Sequence, residues 1–478
     1  MSAIELKDVS FSYDGTSPVL SGVNFAAEYG EVCLISGHSG EGKSTLMYIM
    51  SGVIPNVNYG RLSGEVLVDG EDIKGKKIGD ICRKVGIVLQ NADEQIIQKT
   101  VEDEIAFACE NLAFPPQKTE RQIEIVCRLM KLDRGARCRL LSGGQKQRLI
   151  TASTLAMGQR IIILDEPLAN LDKEGAAHLM GTLRSLAAAG YSVIVIEHRL
   201  DMVLPYVDRV WHMGGGCIAE VEDKDAYLTS QTAQIADICP AFAGGERLIS
   251  VHGVTFTVRG GRTILQDVNL EVPRGGRVVL LGENGCGKTT LMRMIARLNR
   301  LSGGTITQTI DKKLGGRRGS RAWYRAVGVV YQNPDYQLFM PTVRREIYFG
   351  AQSHEYADHI AELFGLKGLY ERHPQSLSEG QKRKLSIAAV LATRPKLLLL
   401  DEPTVGQDYD GLCNMTNILN GIHAEEGNTM ITVTHDVRCA EALCDTAYFI
   451  EGGRAAACGG KELVRAYFGG QDISPYKI

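Results

Sequence analysis

A glycine-rich loop ending in lysine and a hydroxyl residue occurs twice in this chain, as GHSGEGKST at residues 37–45 and GENGCGKTT at residues 282–290. Both fit G-x-x-x-x-G-K-[ST], the pattern of a phosphate-binding loop. Lys43 and Lys288 stand 245 positions apart, so the chain has room for two whole nucleotide-binding units. Its 478 residues suit two or three domains, and each half is long enough to bury its own core.

The repeat extends well beyond the loops. IELKDVSFSYDG (residues 4–15) aligns with ISVHGVTFTVRG (residues 249–260) at an offset of 245. LQNADEQIIQKTVEDEIAF (residues 89–107) aligns with YQNPDYQLFMPTVRREIYF (residues 331–349) at 242, and LSGGQKQR (residues 141–148) with LSEGQKRK (residues 377–384) at 236. ILDEP (residues 163–167) and LLDEP (residues 399–403) keep the offset of 236. The two drops in offset predict deletions in connecting or helical regions, where length changes are tolerated best. The domains are expected at 1–224 and 248–478, with a polar joint carrying Pro and Gly-Gly at 225–247. Each half reads as a β-rich start, a phosphate loop opening a helix, a helical insert, then alternating strands and helices, which is an α/β pattern.

The residue types suit triphosphate chemistry. Residues 31–36 read as a buried strand running into Gly37, Gly40 and Gly42, which let the backbone approach an anion closely. The next helix turns its N-terminal amides and positive dipole end to the phosphates. Lys43 is placed to reach the β and γ phosphates, and the Ser44 hydroxyl to hold Mg²⁺. Gly282, Gly285, Gly287, Lys288 and Thr289 repeat the arrangement. His38, Ser39, Glu41 and Thr45 complete the first loop, and Glu283, Asn284, Cys286 and Thr290 the second.

IIILDEP and LLLLDEP are apolar runs ending in two acids. Such a run is buried on both faces of a parallel sheet and delivers Asp165 and Asp401 to its carboxyl edge, where ligands bind. Those aspartates are candidate Mg²⁺ partners. Glu166 and Glu402 follow, placed to polarise an attacking water. LSGGQ presents Ser142, Gly143, Gly144 and Gln145 ahead of a helix, and LSEGQ presents Ser378, Gly380 and Gln381. A serine and glycines there make a second anion-binding helix start in each half. It has a use if it serves the nucleotide held by the other half; otherwise it is an ordinary capped helix.

Composition narrows the class. Hydrophobic content of 44% and charged content of 23% are ordinary for a globular protein, and a net charge of −3 gives no general pull toward nucleic acid or an anionic membrane. The 12 cysteines include no C-x-x-C pair, which suits reduced thiols rather than a zinc or disulfide framework. No leader is expected, since the chain opens on the strand-like MSAIELKDVSFSY, and no run approaches the roughly 18 apolar residues needed to cross a bilayer. A role at a membrane therefore requires another chain to supply the membrane part.

Taken together, the motifs resemble those of the ATP-binding cassette (ABC) family across nearly the whole chain. The resemblance implies two tandem P-loop ATPase domains, each with a β-rich subdomain, a RecA-like core and a helical insert. Two ATP molecules with Mg²⁺ would lie between head-to-tail cassettes, which close on ATP and open on hydrolysis. By residue-wise matching, Tyr13 stacks on adenine, Gln90 and Gln332 sense Mg²⁺, and His198 and His435 contact the γ-phosphate. Asp172 and Asp408 fall in the loops linking the two sites. The sequence departs from the pattern at Val258, which replaces the adenine-stacking ring, and at Glu379, whose carboxylate near a triphosphate is repulsive unless it turns away. With both glutamates and histidines retained, two competent sites of unequal affinity are expected.

The segments following Gln90 and Gln332 look like those of the energy-coupling factor (ECF) subgroup, which drives uptake of vitamins and of cobalt or nickel. That likeness implies grooves at residues 90–98 and 332–340 that grip a transmembrane coupling subunit. It also implies a small membrane substrate-binding subunit and a peripheral position on the cytoplasmic face of the membrane. Nucleic acid is not an expected partner. The alternative is a soluble twin-cassette ATPase acting on ribosomes or DNA, and the basic run KKLGGRRGSRAWYR (residues 312–325) is the feature that favours it, read either as a reading patch or as a solvated loop.

Overall fold

The computed structural model describes residues 2–38, 40–169, 171–231, 245–258, 260–310 and 321–478. The chain divides into two compact units, Met1–Ala233 and Gln234–Ile478. The expected joint, 225–247, lies for the most part (232–244) outside the described residues, as do Ser39 and residues 312–320 of the basic run. The described start of the joint is helical, within Lys224–Gln231.

In the first unit a six-stranded sheet runs Cys217–Glu220, Arg209–Gly214, Val32–Gly37, Ser192–Ile196, Ile161–Asp165, Val85–Val88. Four of its five pairings are parallel, and the one at the Cys217–Glu220 edge is antiparallel. Parallel strands need crossover connections, and helices fill them on both faces. The three central strands are buried at every position. Alternation sorts their side chains between two cores. Cys33, Ile35, Ile161, Ile163, Ile194 and Ile196 pack with the phosphate-loop helix Lys43–Met50 and the antiparallel sheet built on Ser2–Ser12. Val32, Leu34, Ile162, Leu164, Val193 and Val195 pack with the helical insert. Each such residue contributes roughly 1.5–3 kcal/mol on burial.

The insert comprises Val101–Asn111, capped by Thr100, and Pro116–Leu129, which starts on the proline that a first helical turn tolerates. Both lie against Gly143–Ala156 through Ile105, Ile123, Val126 and Leu149.

The second unit repeats this plan. Its sheet order is Val327–Val330, Leu397–Asp401, Thr429–Val433, Arg277–Leu281, Thr446–Glu451, Arg454–Gly459, with the last strand antiparallel. A three-stranded antiparallel sheet centred on Arg247–Thr257 covers one face. Its insert helices, Val343–Tyr348 and His354–Leu363, have 6 and 10 residues where the first unit has 11 and 14. The loss between the Gln segment and LSxGQ therefore falls in the insert. From the described part of the basic run, Arg321–Ala326 is a short helix whose Trp323 is 1% exposed, donates its indole N–H to Ala296 O and lies under Arg297. That indole belongs to the core and is withdrawn from any reading surface.

Candidate functional site

Each phosphate loop leaves the end of a buried central strand. Gly37 has φ 149° and Gly282 φ 141°, and a Cβ there would lie 2.2 Å from Met213 O and 2.3 Å from Ile450 O. Only glycine fits both the backbone conformation and the neighbouring strand. Gly42 and Gly287, also left-handed, cap the helices Lys43–Met50 and Lys288–Ile295, leaving their first amides free of any side-chain cap and available to an anion. The lysines occupy the loop centres. Lys43 Nζ donates to Gly37 O (2.8 Å) and His38 O (2.7 Å), and Lys288 Nζ to Gly282 O (2.7 Å) and Glu283 O (2.8 Å).

The hydroxyl after each lysine reaches the aspartate of the DEP strand: Ser44 Oγ to Asp165 Oδ2 at 2.9 Å, and Thr289 Oγ1 to Asp401 Oδ1 at 3.1 Å. Burial pushes the Asp165 carboxyl up to about 6, and the charge of Glu166 adds to the effect. Burial raises Asp401 in the same direction. In each cassette the buried carboxylate beside a hydroxyl oxygen offers hard oxygen donors of the kind that Mg²⁺ takes together with phosphate oxygens and water. The residues thus fit the metal. Among the described residues no cluster of three His, Cys, Asp or Glu side chains forms a separate metal site.

Glu166 and Glu402 have φ of 45° and 52°, a left-handed conformation costing side-chain-bearing residues about 1–3 kcal/mol. The same turn recurs in both units, fixed by Glu166 N–H to Ile196 O (2.9 Å) and Glu402 N–H to Val433 O (2.8 Å). It swings the Glu166 carboxylate out of the strand line toward Gln90 and His198, and the Glu402 carboxylate toward His435. Gln90 Nε2 donates to Glu166 Oε2 at 2.6 Å, and His198 Nε2 lies 3.2 Å from Oε1. Burial works to raise the Glu166 carboxyl, but the hydrogen bond and charge of His198, Lys43 and Gln90 outweigh it and hold it below its ordinary value. In the second unit His435 Nε2 lies 3.6 Å from Glu402 Oε1, and Glu402 Oε2 accepts the backbone N–H of His435 at 3.1 Å.

The structure therefore gathers Lys43, Ser44, Gln90, Asp165, Glu166 and His198 in one unit. In the other it gathers Lys288, Thr289, Asp401, Glu402 and His435. Tyr13 is half exposed and bonds Thr45 Oγ1 through its hydroxyl at 3.1 Å, leaving its ring at the mouth of the first loop. The serines of LSGGQ and LSEGQ close capping boxes within their own helices. Ser142 Oγ accepts from Gln145 N and Gln145 Oε1 from Ser142 N, with Ser378 and Gln381 doing the same. The two glutamine carboxamides expected at ATP are thus engaged in helix capping. Asp172 and Asp408 likewise cap the helices that follow them. Glu379 does turn aside: its carboxylate pairs with Lys382 at 3.0 Å.

Sequence reasoning missed three connections. Lys146–Asp93 (2.5 Å) and Lys382–Asp335 (3.1 Å) tie the LSxGQ helices to the Gln segments. Buried Glu104 accepts from Ile97 N and Gln98 N, and Glu346 from Phe339 N and Met340 N, pinning the loops after the glutamines. Glu197 holds three backbone amides beside Glu166, and its sequence signal was a lone acid closing an otherwise apolar strand, VIVIEH.

The family model described as "ABC transporter" matches residues 20–169 and 265–405. This chain belongs to the ABC transporter family. It is a two-cassette ATPase that uses ATP with Mg²⁺. It is 30% identical over 94% of its length, and 96% of the relative's, to a "Putative ABC transporter ATP-binding protein" of Treponema denticola. It is 31% identical over 93% of its length, and 89% of the relative's, to the "Putative HMP/thiamine import ATP-binding protein YkoD" of Bacillus subtilis. Among solved structures it is similar to the archaeal ribosome recycling factor aABCE1, crystallised with the ribosomal stalk protein aP1. That likeness has a TM-score of 0.64 at 21% identity and covers 94% of this chain and 90% of that one; it shows the shared two-cassette fold.

Proposed function

We propose that this chain is the ATP-hydrolysing motor of a membrane importer, engaged at the cytoplasmic face of the membrane by a transmembrane coupling subunit and a small membrane substrate-binding subunit. The observation that carries the reading is an apolar surface tied to each nucleotide site. Ile97 in the first cassette, and Tyr336, Phe339 and Phe349 in the second, are exposed, with Phe339 and Phe349 edge to face at 5.2 Å between centroids. Ile97, Tyr336 and Phe339 stand on or beside the loops pinned by Glu104 and Glu346, a few residues after Gln90 and Gln332, and Phe349 follows the helix Val343–Tyr348 that Glu346 belongs to. Exposed apolar side chains on a fixed backbone suit an apolar protein helix. The import description of the Bacillus subtilis relative agrees with this. Among the described residues no helix is long and apolar enough to cross a membrane, so the membrane path belongs to partners.

In the working state we assign, the cassettes meet head to tail around two ATP molecules. Lys43, Ser44, Asp165 and Gln90 hold one triphosphate and its Mg²⁺ while Ser378, Gly380 and Gln381 complete the site. Lys288, Thr289, Asp401 and Gln332 hold the other, completed by Ser142, Gly143, Gly144 and Gln145. Glu166 and Glu402 each take the proton of a water as its oxygen bonds to the γ-phosphorus and the bridging P–O bond breaks, releasing ADP and phosphate. His198 and His435 contact the γ-phosphate. Bound Mg²⁺ neutralises charge on the β and γ phosphates.

A second reading, a twin-cassette ATPase acting on the ribosome, is favoured by the structural likeness to aABCE1, which spans both cassettes. Against it stand the burial of Trp323 and the greater sequence identity to transporter ATPases. Purification of the tagged chain from detergent-solubilised native cells separates the two. Co-purifying hydrophobic membrane proteins support the importer, and ribosomal RNA with ribosomal proteins supports the second reading and overturns the first.

A further inference from the structure

The two cassettes secure the loops around their hydrolytic carboxylates in different ways. In the first, Glu197 is 2% exposed and accepts three backbone amides: Leu168 N on Oε1 (2.9 Å), and His198 N (2.9 Å) and Arg199 N (3.2 Å) on Oε2. Arg199 answers it, with Nη1 donating to Leu168 O (2.9 Å) and Leu171 O (3.1 Å). The pair thus clamps the segment after Glu166 to the segment that carries His198, through backbone groups alone. Both oxygens of Glu166 stay with side chains of the site, Gln90 and His198.

In the second cassette Thr434 and Asp436 stand where Glu197 and Arg199 stand in the first. Thr434 Oγ1 accepts the nearby Asp436 N–H at 3.1 Å, and Asp436 caps the next helix through Arg438 N and Cys439 N. Here the backbone N–H of His435 is taken by Glu402 itself. One oxygen of that carboxylate takes the histidine amide that Glu197 takes in the first cassette. A carboxylate oxygen accepting a backbone amide is both less basic and less free to follow a water.

We propose that Glu197, supported by Arg199, is a positioning residue of the first ATP site, relieving Glu166 of loop-holding so that hydrolysis there outpaces hydrolysis at Glu402. This rests on the roles given above to Glu166 and Glu402, which the same experiment checks separately. The second cassette is the slower site because Glu402 serves both as water acceptor and as loop cap.

The test is steady-state ATPase kinetics of the full chain in two backgrounds. With Glu402→Gln only the first site turns over; there Glu197→Thr should lower kcat about tenfold while leaving KM for ATP within about twofold, and Glu197→Gln, which retains one carbonyl acceptor for Leu168 N, should fall between. With Glu166→Gln only the second site turns over; there Thr434→Glu should raise kcat, because the new carboxylate can take the His435 amide from Glu402. A purely structural role would lower kcat, ATP affinity and melting temperature together for Glu197→Thr, and that result overturns the proposal. So does an unchanged kcat. If the double variant Glu166→Gln/Glu402→Gln keeps full activity, the carboxylate assignment itself is wrong. If the double variant is inactive while Glu197→Thr is silent, only the positioning role falls.

Discussion

Replacing Asp165 by asparagine should make the nucleotide-free first cassette more stable at neutral pH. Asp165 is 7% exposed, and its carboxyl is displaced from 3.8 to about 6, first by burial and then by the charge of Glu166. Each pH unit of displacement corresponds to about 1.4 kcal/mol, so the ionised form costs the folded cassette about 3 kcal/mol. The folded state binds this proton more tightly than the unfolded state. The stabilisation is therefore complete below about pH 4 and lost as pH rises through about 6. Asparagine keeps an acceptor for Ser44 and has no proton to lose, so the gain over the parent should be near zero at pH 4 and reach about 3 kcal/mol by pH 8. The assay is urea unfolding in EDTA without nucleotide. The chain has 2 tryptophans, Trp211 buried in the first cassette and Trp323 in the second, so Trp323→Phe leaves a fluorophore that reports the first cassette alone. An Asp165→Asn variant whose stability difference does not grow between pH 4 and pH 8 would refute the argument that this carboxylate is held at a cost for a cation.

Four further outcomes are expected. Arg277→Met should destabilise the second cassette by about 3–5 kcal/mol, read through Trp323 in a Trp211→Phe background, because Asp445, bonded by Arg277 at 2.5 and 3.1 Å, would stay buried without its guanidinium. Val258→Tyr should tighten ATP binding at the second loop about fivefold by restoring a stacking ring worth about 1 kcal/mol, measured by titration of the Glu166→Gln/Glu402→Gln protein with ATP. Gly37→Ala should abolish binding at the first loop while the second still binds, since its Cβ would lie 2.2 Å from Met213 O; isothermal titration should fall from two sites to one. Glu166→Gln should remove more than half of the ATPase rate and Glu402→Gln less than half, measured by phosphate release.

What the sequence made legible is local. Phosphate loops, apolar strands ending in Asp-Glu and serine-led helix starts are short patterns whose chemistry depends on neighbours a few residues away, so Lys43, Ser44, Asp165 and Glu166 could be named before any fold. Their convergence follows from parallel pairing of Val32–Gly37, Ser192–Ile196 and Ile161–Asp165, which alternation already implied. The rest rests on pairs distant in sequence. Glu197 merely closes an apolar run in the sequence, while the Leu168 N–H that donates to it stands 29 positions away. Lys146 and Asp93 are separated by 53 positions, and nothing in either segment announces the other. The left-handed turn at Glu166 and Glu402 was equally silent, because no glycine or asparagine marks it. Trp323 was misjudged as a possible reading aromatic for the opposite reason: its basic neighbours dominated the local composition while its own place was set by Ala296 and Arg297.

The central claim is that each triphosphate is held by one cassette and completed by the other. Cryo-electron microscopy of the Glu166→Gln/Glu402→Gln protein with ATP and Mg²⁺ tests it directly. The account predicts Ser378 beside the γ-phosphate of the ATP held by Lys43, and Ser142 beside that held by Lys288. Both loops filled with ATP in a closed protein, with both serines remote from any phosphate, would contradict it.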